Sequence, residues 1–116
     1  MESYNVYFLQ EALDDLEEIV LYIAQDSRTA AFCMHDKIIE KVNDLTIFPK
    51  RGRLVPDKKI SAVGYRMLFI MPYIAFYRVI GYDVFIYRVL HGAADYSMLQ
   101  ENMADYKVDK KTDQLE

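Results

Sequence analysis

Apolar residues in the first half of the chain recur at helical spacing. Leu13, Leu16, Val20 and Ile23 are three and four residues apart, with Ala12 and Ile19 widening the stripe. That period predicts an amphipathic helix beginning at Glu11. Asn5 to Gln10 (NVYFLQ) precedes it, a short, aromatic, β-prone run that reads as one strand. Gln25-Asp26-Ser27 interrupts the helical period, with Asp26 or Ser27 placed to cap a second helix. Ala31, Met34, Ile38, Val42 and Leu45 form the stripe of that helix, and Phe48-Pro49 ends it. Two amphipathic helices joined by so few residues make a hairpin.

From Lys50 to Val63 the periodicity is lost, and Gly52 and Pro56 mark a loop. Three β-rich runs follow: Tyr65 to Met71, Tyr73 to Ile80 and Val84 to Leu90. Pro72 separates the first two and Gly81-Tyr82-Asp83 the second pair, and such short connections imply an antiparallel meander. The expected architecture is α+β: an N-terminal strand and a helical hairpin packed on a mainly antiparallel sheet, in the order β-α-α-β-β-β. Met98, Leu99 and Met103 allow a last helical turn or two, and the Lys/Asp-rich stretch from Tyr106 is expected to fray.

At 116 residues, 53% of them hydrophobic, the chain is one domain with ample material for a core. A formal charge of −4 argues against holding nucleic acid by bulk electrostatics alone. The charge is unevenly placed. Met1 to Pro49 holds ten acids against Arg28, Lys37 and Lys41. Lys50 to His91 holds eight bases against Asp57 and Asp83, so an anionic partner is expected to dock on the middle of the chain. Among the acids, Glu11, Asp14, Asp15, Glu17 and Glu18 crowd the start of the first helix. The early ones suit the positive end of its dipole and the others a solvated face. Cys33 is the sole cysteine and is expected to be a buried, inert thiol. Two histidines and one cysteine make a zinc site implausible, and no cofactor is implied. With no leader and no long apolar run, the chain reads as soluble and cytoplasmic, off the membrane.

The order of short motifs is specific. Ala12-Leu13-Asp14-Asp15-Leu16 is followed by Ile19 and Tyr22-Ile23, then Ile39 through Leu45 to Phe48-Pro49. Gly52-Arg53, Val55-Pro56, Gly64-Tyr65-Arg66 and Phe76-Tyr77-Arg78-Val79 come next. The series closes with Ile86-Tyr87-Arg88-Val89-Leu90-His91-Gly92 and Asp95-Tyr96. From about Tyr4 to Leu99 the chain resembles the RelE/ParE superfamily of toxins from type II toxin–antitoxin systems. The resemblance implies a toxin domain over residues 1–105, with 106–116 as a flexible tail. It also implies growth inhibition, plasmid stabilisation, and a cognate antitoxin that forms a hetero-oligomer with the toxin. It leaves two mechanisms open, because RelE-like members cleave mRNA in the ribosome whereas ParE-like members bind DNA gyrase.

For metal-independent RNA cleavage, His91 is the natural acid/base, since imidazole titrates near neutral pH. The alternative is a hydrogen bond that fixes the strand end. Arg66 is the candidate phosphate clamp, or else a rim residue with a packed stem. Tyr96 fills the place of a C-terminal tyrosine found in some RelE-like nucleases. Lys50, Arg51 and Arg53, with Lys58 and Lys59 beside them and Arg88 in the last strand, are the cations expected to contact target or RNA. The chain departs from the nuclease pattern where RelE-like enzymes place two further arginines: Tyr73-Ile74-Ala75 and Ala93-Ala94 stand there instead. Each lost electrostatic contact to a transition state costs roughly 2.7–4 kcal/mol, which tips the expectation toward gyrase binding, with mRNA cleavage by His91 and Arg66 as the alternative.

Overall fold

The computed structural model describes residues 3–56, 62 and 64–92. In chain order these form β1 (Asn5–Phe8), α1 (Gln10–Ala24), α2 (Arg28–Asn43), a 3-10 turn (Asp44–Thr46), β2 (Arg53–Leu54), β3 (Tyr65–Ile70), β4 (Tyr73–Ile80) and β5 (Asp83–His91). The five strands make one sheet in the order β1-β5-β4-β3-β2. β1 runs parallel to β5, and the other pairings are antiparallel. The α+β expectation therefore holds, with a mixed sheet.

The switch from β1 to α1 takes place within one residue. The Leu9 N–H still donates to the Ile86 carbonyl of β5, while its own carbonyl accepts from Ala12 and Leu13. The strand consequently ends at Phe8, two residues earlier than its β-prone composition suggests. At the other end of the hairpin, Ser27 caps α2 by accepting from the Ala30 N–H at 3.1 Å. The loop after Pro49 contains a strand the periodicity does not reveal. Arg53 and Leu54 pair with Met67 and Arg66. Two residues are too few to alternate, so only the partner strand makes them β.

The hairpin covers one face of the sheet. Ala12, Leu16 and Ile19 of α1 and Ile38 and Val42 of α2 bury against Leu68, Ile70, Ala75, Tyr77, Val84 and Ile86. The stripe of α1 is rotated from its sequence-predicted axis. Leu13 is 44% exposed, and Asp15 lies inside the buried arc at 6%. The solvated-face reading of Asp15 is thus corrected, and its charge is met by a strand 73 residues away. Cys33 is also corrected, from buried to exposed. It sits two positions from the buried Ala31, a 200° turn on a helix, and shares the outer surface with Phe32. The opposite sheet face gathers Tyr65, Met67, Ile74, Phe76, Phe85 and Tyr87 with Leu9 and Val55. No described helix is long and apolar enough to cross a membrane. The expected late helical turns, the frayed tail and Tyr96 lie outside the described residues.

Candidate functional site

The basic loop is shaped by a glycine held on both sides. The Gly52 N–H donates to the Tyr77 hydroxyl at 2.8 Å, and the Gly52 carbonyl accepts from the Arg66 guanidinium at 2.7 Å. No side chain fits there. A Cβ on Gly52 would lie 2.5 Å from the Met67 carbonyl oxygen and 2.7 Å from the Tyr77 hydroxyl. Burial pushes the Tyr77 phenol above its usual pKa, while the Gly52 N–H and the Arg66 charge pull the other way. Tyr77 therefore stays protonated throughout the neutral range and serves as a fixed acceptor under the loop.

Pinned at Gly52, the chain on either side turns Lys50, Arg51 and Arg53 to solvent. Arg51 is steadied by Asp44 at 3.1 Å, a surface pair worth at most about 1 kcal/mol. Upstream, the Arg51 N–H closes a turn on the Phe48 carbonyl, leaving Ile47 and Phe48 48% and 59% exposed. Tyr4, Ile47, Phe48, Pro49, Lys50 and Arg51 line a cleft of about 740 Å³ beside this turn. Apolar side chains and cations thus share one exposed surface.

The last strand builds a different site. Asp15 accepts from the Arg88 Nε at 2.7 Å and from its terminal nitrogen at 3.0 Å, and also from the Val89 N–H at 2.9 Å. This bidentate pair ties α1 to β5 where the β4–β5 register shifts, near Phe76 and Tyr77. The guanidinium of Arg88, expected from sequence to meet target or RNA, is committed to this carboxylate. Three residues on, His91 ends β5 opposite Tyr73, and the two rings meet edge to face at 5.5 Å. The Gly92 N–H returns to the Pro72 carbonyl at 2.7 Å.

The structure does not bring Arg66 and His91 together. Arg66 pairs with Tyr77 and His91 with Tyr73, so they stand four residues apart along the strands and two strands apart across the sheet. At strand spacings this separates their Cα atoms by roughly 16 Å. The remaining arginine of the meander, Arg78, lies over the Tyr65 ring on the other sheet face, 5.7 Å from its centroid. All three guanidiniums of β3–β5 therefore have partners inside the fold. Among the described residues, no group of three or more His, Cys, Asp or Glu side chains could hold a metal ion.

Sequence reasoning missed the clamp of Gly52, Tyr77 and Arg66 and the partner of Asp15. The first left one trace, a glycine within a run of cations. The second left none.

Residues 6–96 match the profile of a family described as the ParE toxin of the type II toxin–antitoxin system parDE. Among solved structures, the chain is similar to one from a chromosomal ParDE toxin–antitoxin system of P. aeruginosa. That match has 24% identity and a TM-score of 0.63, and covers 77% of this chain and 96% of the other. It is also similar to a chain of the RelBE2 toxin–antitoxin complex from Mycobacterium tuberculosis, at 24% identity and a TM-score of 0.57, covering 77% and 98%. At these identities the likeness speaks for the fold. No curated protein sequence matches the chain.

Proposed function

The chain belongs to the ParE toxin family of type II toxin–antitoxin systems, and from that premise we propose that it arrests growth by binding DNA gyrase through its basic loop. A cognate antitoxin in the same cytoplasm holds it silent as a hetero-oligomer. The observation that carries this reading is the clamped Gly52, which presents Lys50, Arg51 and Arg53 beside exposed Ile47 and Phe48. Cations around apolar anchors suit an acidic protein surface, where a few buried apolar contacts supply affinity and the charges steer approach. Cleavage of mRNA asks instead for an acid/base and a cation converging on one phosphate. His91 and Arg66 stand two strands apart, and the Arg66 guanidinium is engaged by the Gly52 carbonyl of the loop.

The test is early sampling of cells induced for the toxin. The DNA-damage response should rise before translation falls. His91→Gln should keep most of the toxicity, and the Arg51→Ala/Arg53→Ala double variant should lose it. Translation-dependent mRNA cuts with no DNA damage, together with a harmless His91→Gln variant, would overturn gyrase binding in favour of ribosome-associated RNA cleavage.

A further inference from the structure

The backbone of the turn after α2 holds two large apolar side chains out of the core. Leu45 takes the buried position, and the Ile47 and Phe48 N–H groups both donate to the Asp44 carbonyl. The Arg51 N–H then donates to the Phe48 carbonyl, which sets half-exposed Ile47 and Phe48 beside Lys50 and Arg51. Tyr4 completes the lining of the cleft. Its N–H donates to the Thr46 carbonyl at 2.7 Å, and its ring rests on Tyr82 at 5.3 Å between centroids. The lining is thus tied together before any partner arrives, and a preformed cleft loses little freedom on binding. Its volume of about 740 Å³ falls in the range of roughly 300–1,000 Å³ usual for ligand clefts. The charges around it are mostly positive. Lys50 and Arg51 line the cleft, Arg53 is exposed two residues on, and Arg66 adds its charge where it meets the Lys50 and Gly52 carbonyls. Against them stand Asp44, paired with Arg51 at 3.1 Å, and Asp83, hydrogen-bonded to Asn5 next to Tyr4.

We propose that this cleft recognises a short linear segment of a partner protein, a leucine or phenylalanine anchor flanked by carboxylates. This rests on the toxin reading and deepens it, since the segment belongs to the target that the toxin arrests. The anchor packs against Tyr4, Ile47 and Phe48, and a flanking carboxylate pairs with Lys50 or Arg51. Arg51 already holds a carboxylate in Asp44, and an exposed pair of that kind is weak enough to be exchanged for a partner's. The apolar anchor supplies affinity, and the cations select the sign of what flanks it. Nucleic acid suits the cleft less well. The Tyr4 ring is engaged with Tyr82, and branched Ile47 offers no flat face for a base. A long phosphate chain would also run past Asp44 and over a molecule of formal charge −4, whereas one or two carboxylates need only the local cations.

The experiment uses the full chain at physiological salt with three labelled twelve-residue peptides and a labelled single-stranded RNA of twelve nucleotides. The first peptide carries a central Leu-Phe pair between glutamates. The second has lysine in place of each glutamate, and the third keeps the glutamates but has serine in place of the Leu-Phe pair. Fluorescence anisotropy reads binding to wild type and to two matched pairs of variants. Phe48→Ser removes an anchor contact, whereas Phe32→Ser removes an equally exposed ring on α2. Arg51→Glu reverses a charge in the cleft, and Arg28→Glu makes the same change at the exposed start of α2. Wild type should bind the first peptide at least tenfold more tightly than the second or third. Phe48→Ser and Arg51→Glu should each weaken the first peptide at least tenfold, and Phe32→Ser and Arg28→Glu less than threefold. Arg51→Glu should also gain affinity for the lysine peptide, a result a misfolded variant cannot produce. Equal losses within each pair would overturn the proposal, as would no preference among the three peptides. RNA bound more tightly than the first peptide, and lost in the same two cleft variants, would give the cleft to nucleic acid instead. Growth is not read here, so the two readings fail separately. A chain that binds the first peptide as expected yet harms no cell keeps the cleft and loses the toxin reading. One that poisons gyrase without binding that peptide keeps the toxin reading and loses the cleft.

Discussion

Arg66 and Arg88 both have guanidiniums committed inside the fold, yet they act in opposite ways. Arg88 meets a carboxylate. Its charge cancels that of Asp15, and the bond tethers α1 to β5. Arg66 meets the Gly52 carbonyl, with the Lys50 carbonyl at a longer 3.5 Å. Carbonyls accept hydrogen bonds without removing charge, so Arg66 fixes the loop and still adds its positive field to Lys50, Arg51 and Arg53. The difference lies in the acceptor. A carboxylate turns an arginine into internal scaffolding, whereas a carbonyl leaves it scaffolding and electrostatics at once. That is why the same residue type builds a neutral junction at one end of the molecule and a cationic platform at the other.

Three sets of substitutions sharpen this comparison. The largest effect should come from the junction. Asp15→Ala leaves the partly buried Arg88 charge and the Val89 N–H without their acceptor, and breaking such a pair costs about 3–5 kcal/mol. Urea unfolding should show that loss, and the double variant Asp15→Leu with Arg88→Met, which removes both charges together, should recover most of it. If Asp15→Ala melts like wild type, the junction is not structural. Next comes the clamp. Gly52→Ala forces a Cβ against the Met67 carbonyl and the Tyr77 hydroxyl, and overpacking of this kind costs typically 1–3 kcal/mol. Target binding should fall with it, because the cations on either side are displaced. Stability lost without any change in binding would separate the clamp from the platform. Smallest for stability is Arg51→Ala with Arg53→Ala, under about 0.5 kcal/mol, since both side chains are exposed. A collapsed melting temperature in that double variant would make the loop part of the scaffold.

The elements themselves were legible because each rests on local physics. Hydrophobic period, Ser27 as a cap, and Pro72 and Gly81 as breaks place the helix starts and the meander within a residue or two, whereas α2 gives way to a 3-10 turn at Asp44, ahead of the expected stop at Phe48-Pro49. The site was legible in part. The cations of the loop stand out in the charge pattern, and His91 stands out at the strand end. What those side chains do there could not be read. Arg88 looks like any strand arginine until Asp15 arrives from a helix 73 residues earlier, and Arg66 looks like a free clamp until Gly52 folds beneath it.

By itself, then, the chain's order of residues determined its α+β class, its helical hairpin, its three-stranded meander and its uneven charge, all of which follow from interactions within a few positions. Only the tertiary structure decided that β1 lies parallel to β5, that Arg53 and Leu54 form a strand, that Asp15 is buried and Cys33 exposed, and that Arg66 and His91 stand apart. Apart from the exposure of Cys33, which follows from its phase on α2, each of these depends on a partner distant in sequence. A buried charge or a two-residue strand is stable only when that partner is in place, so neither leaves a local pattern to read.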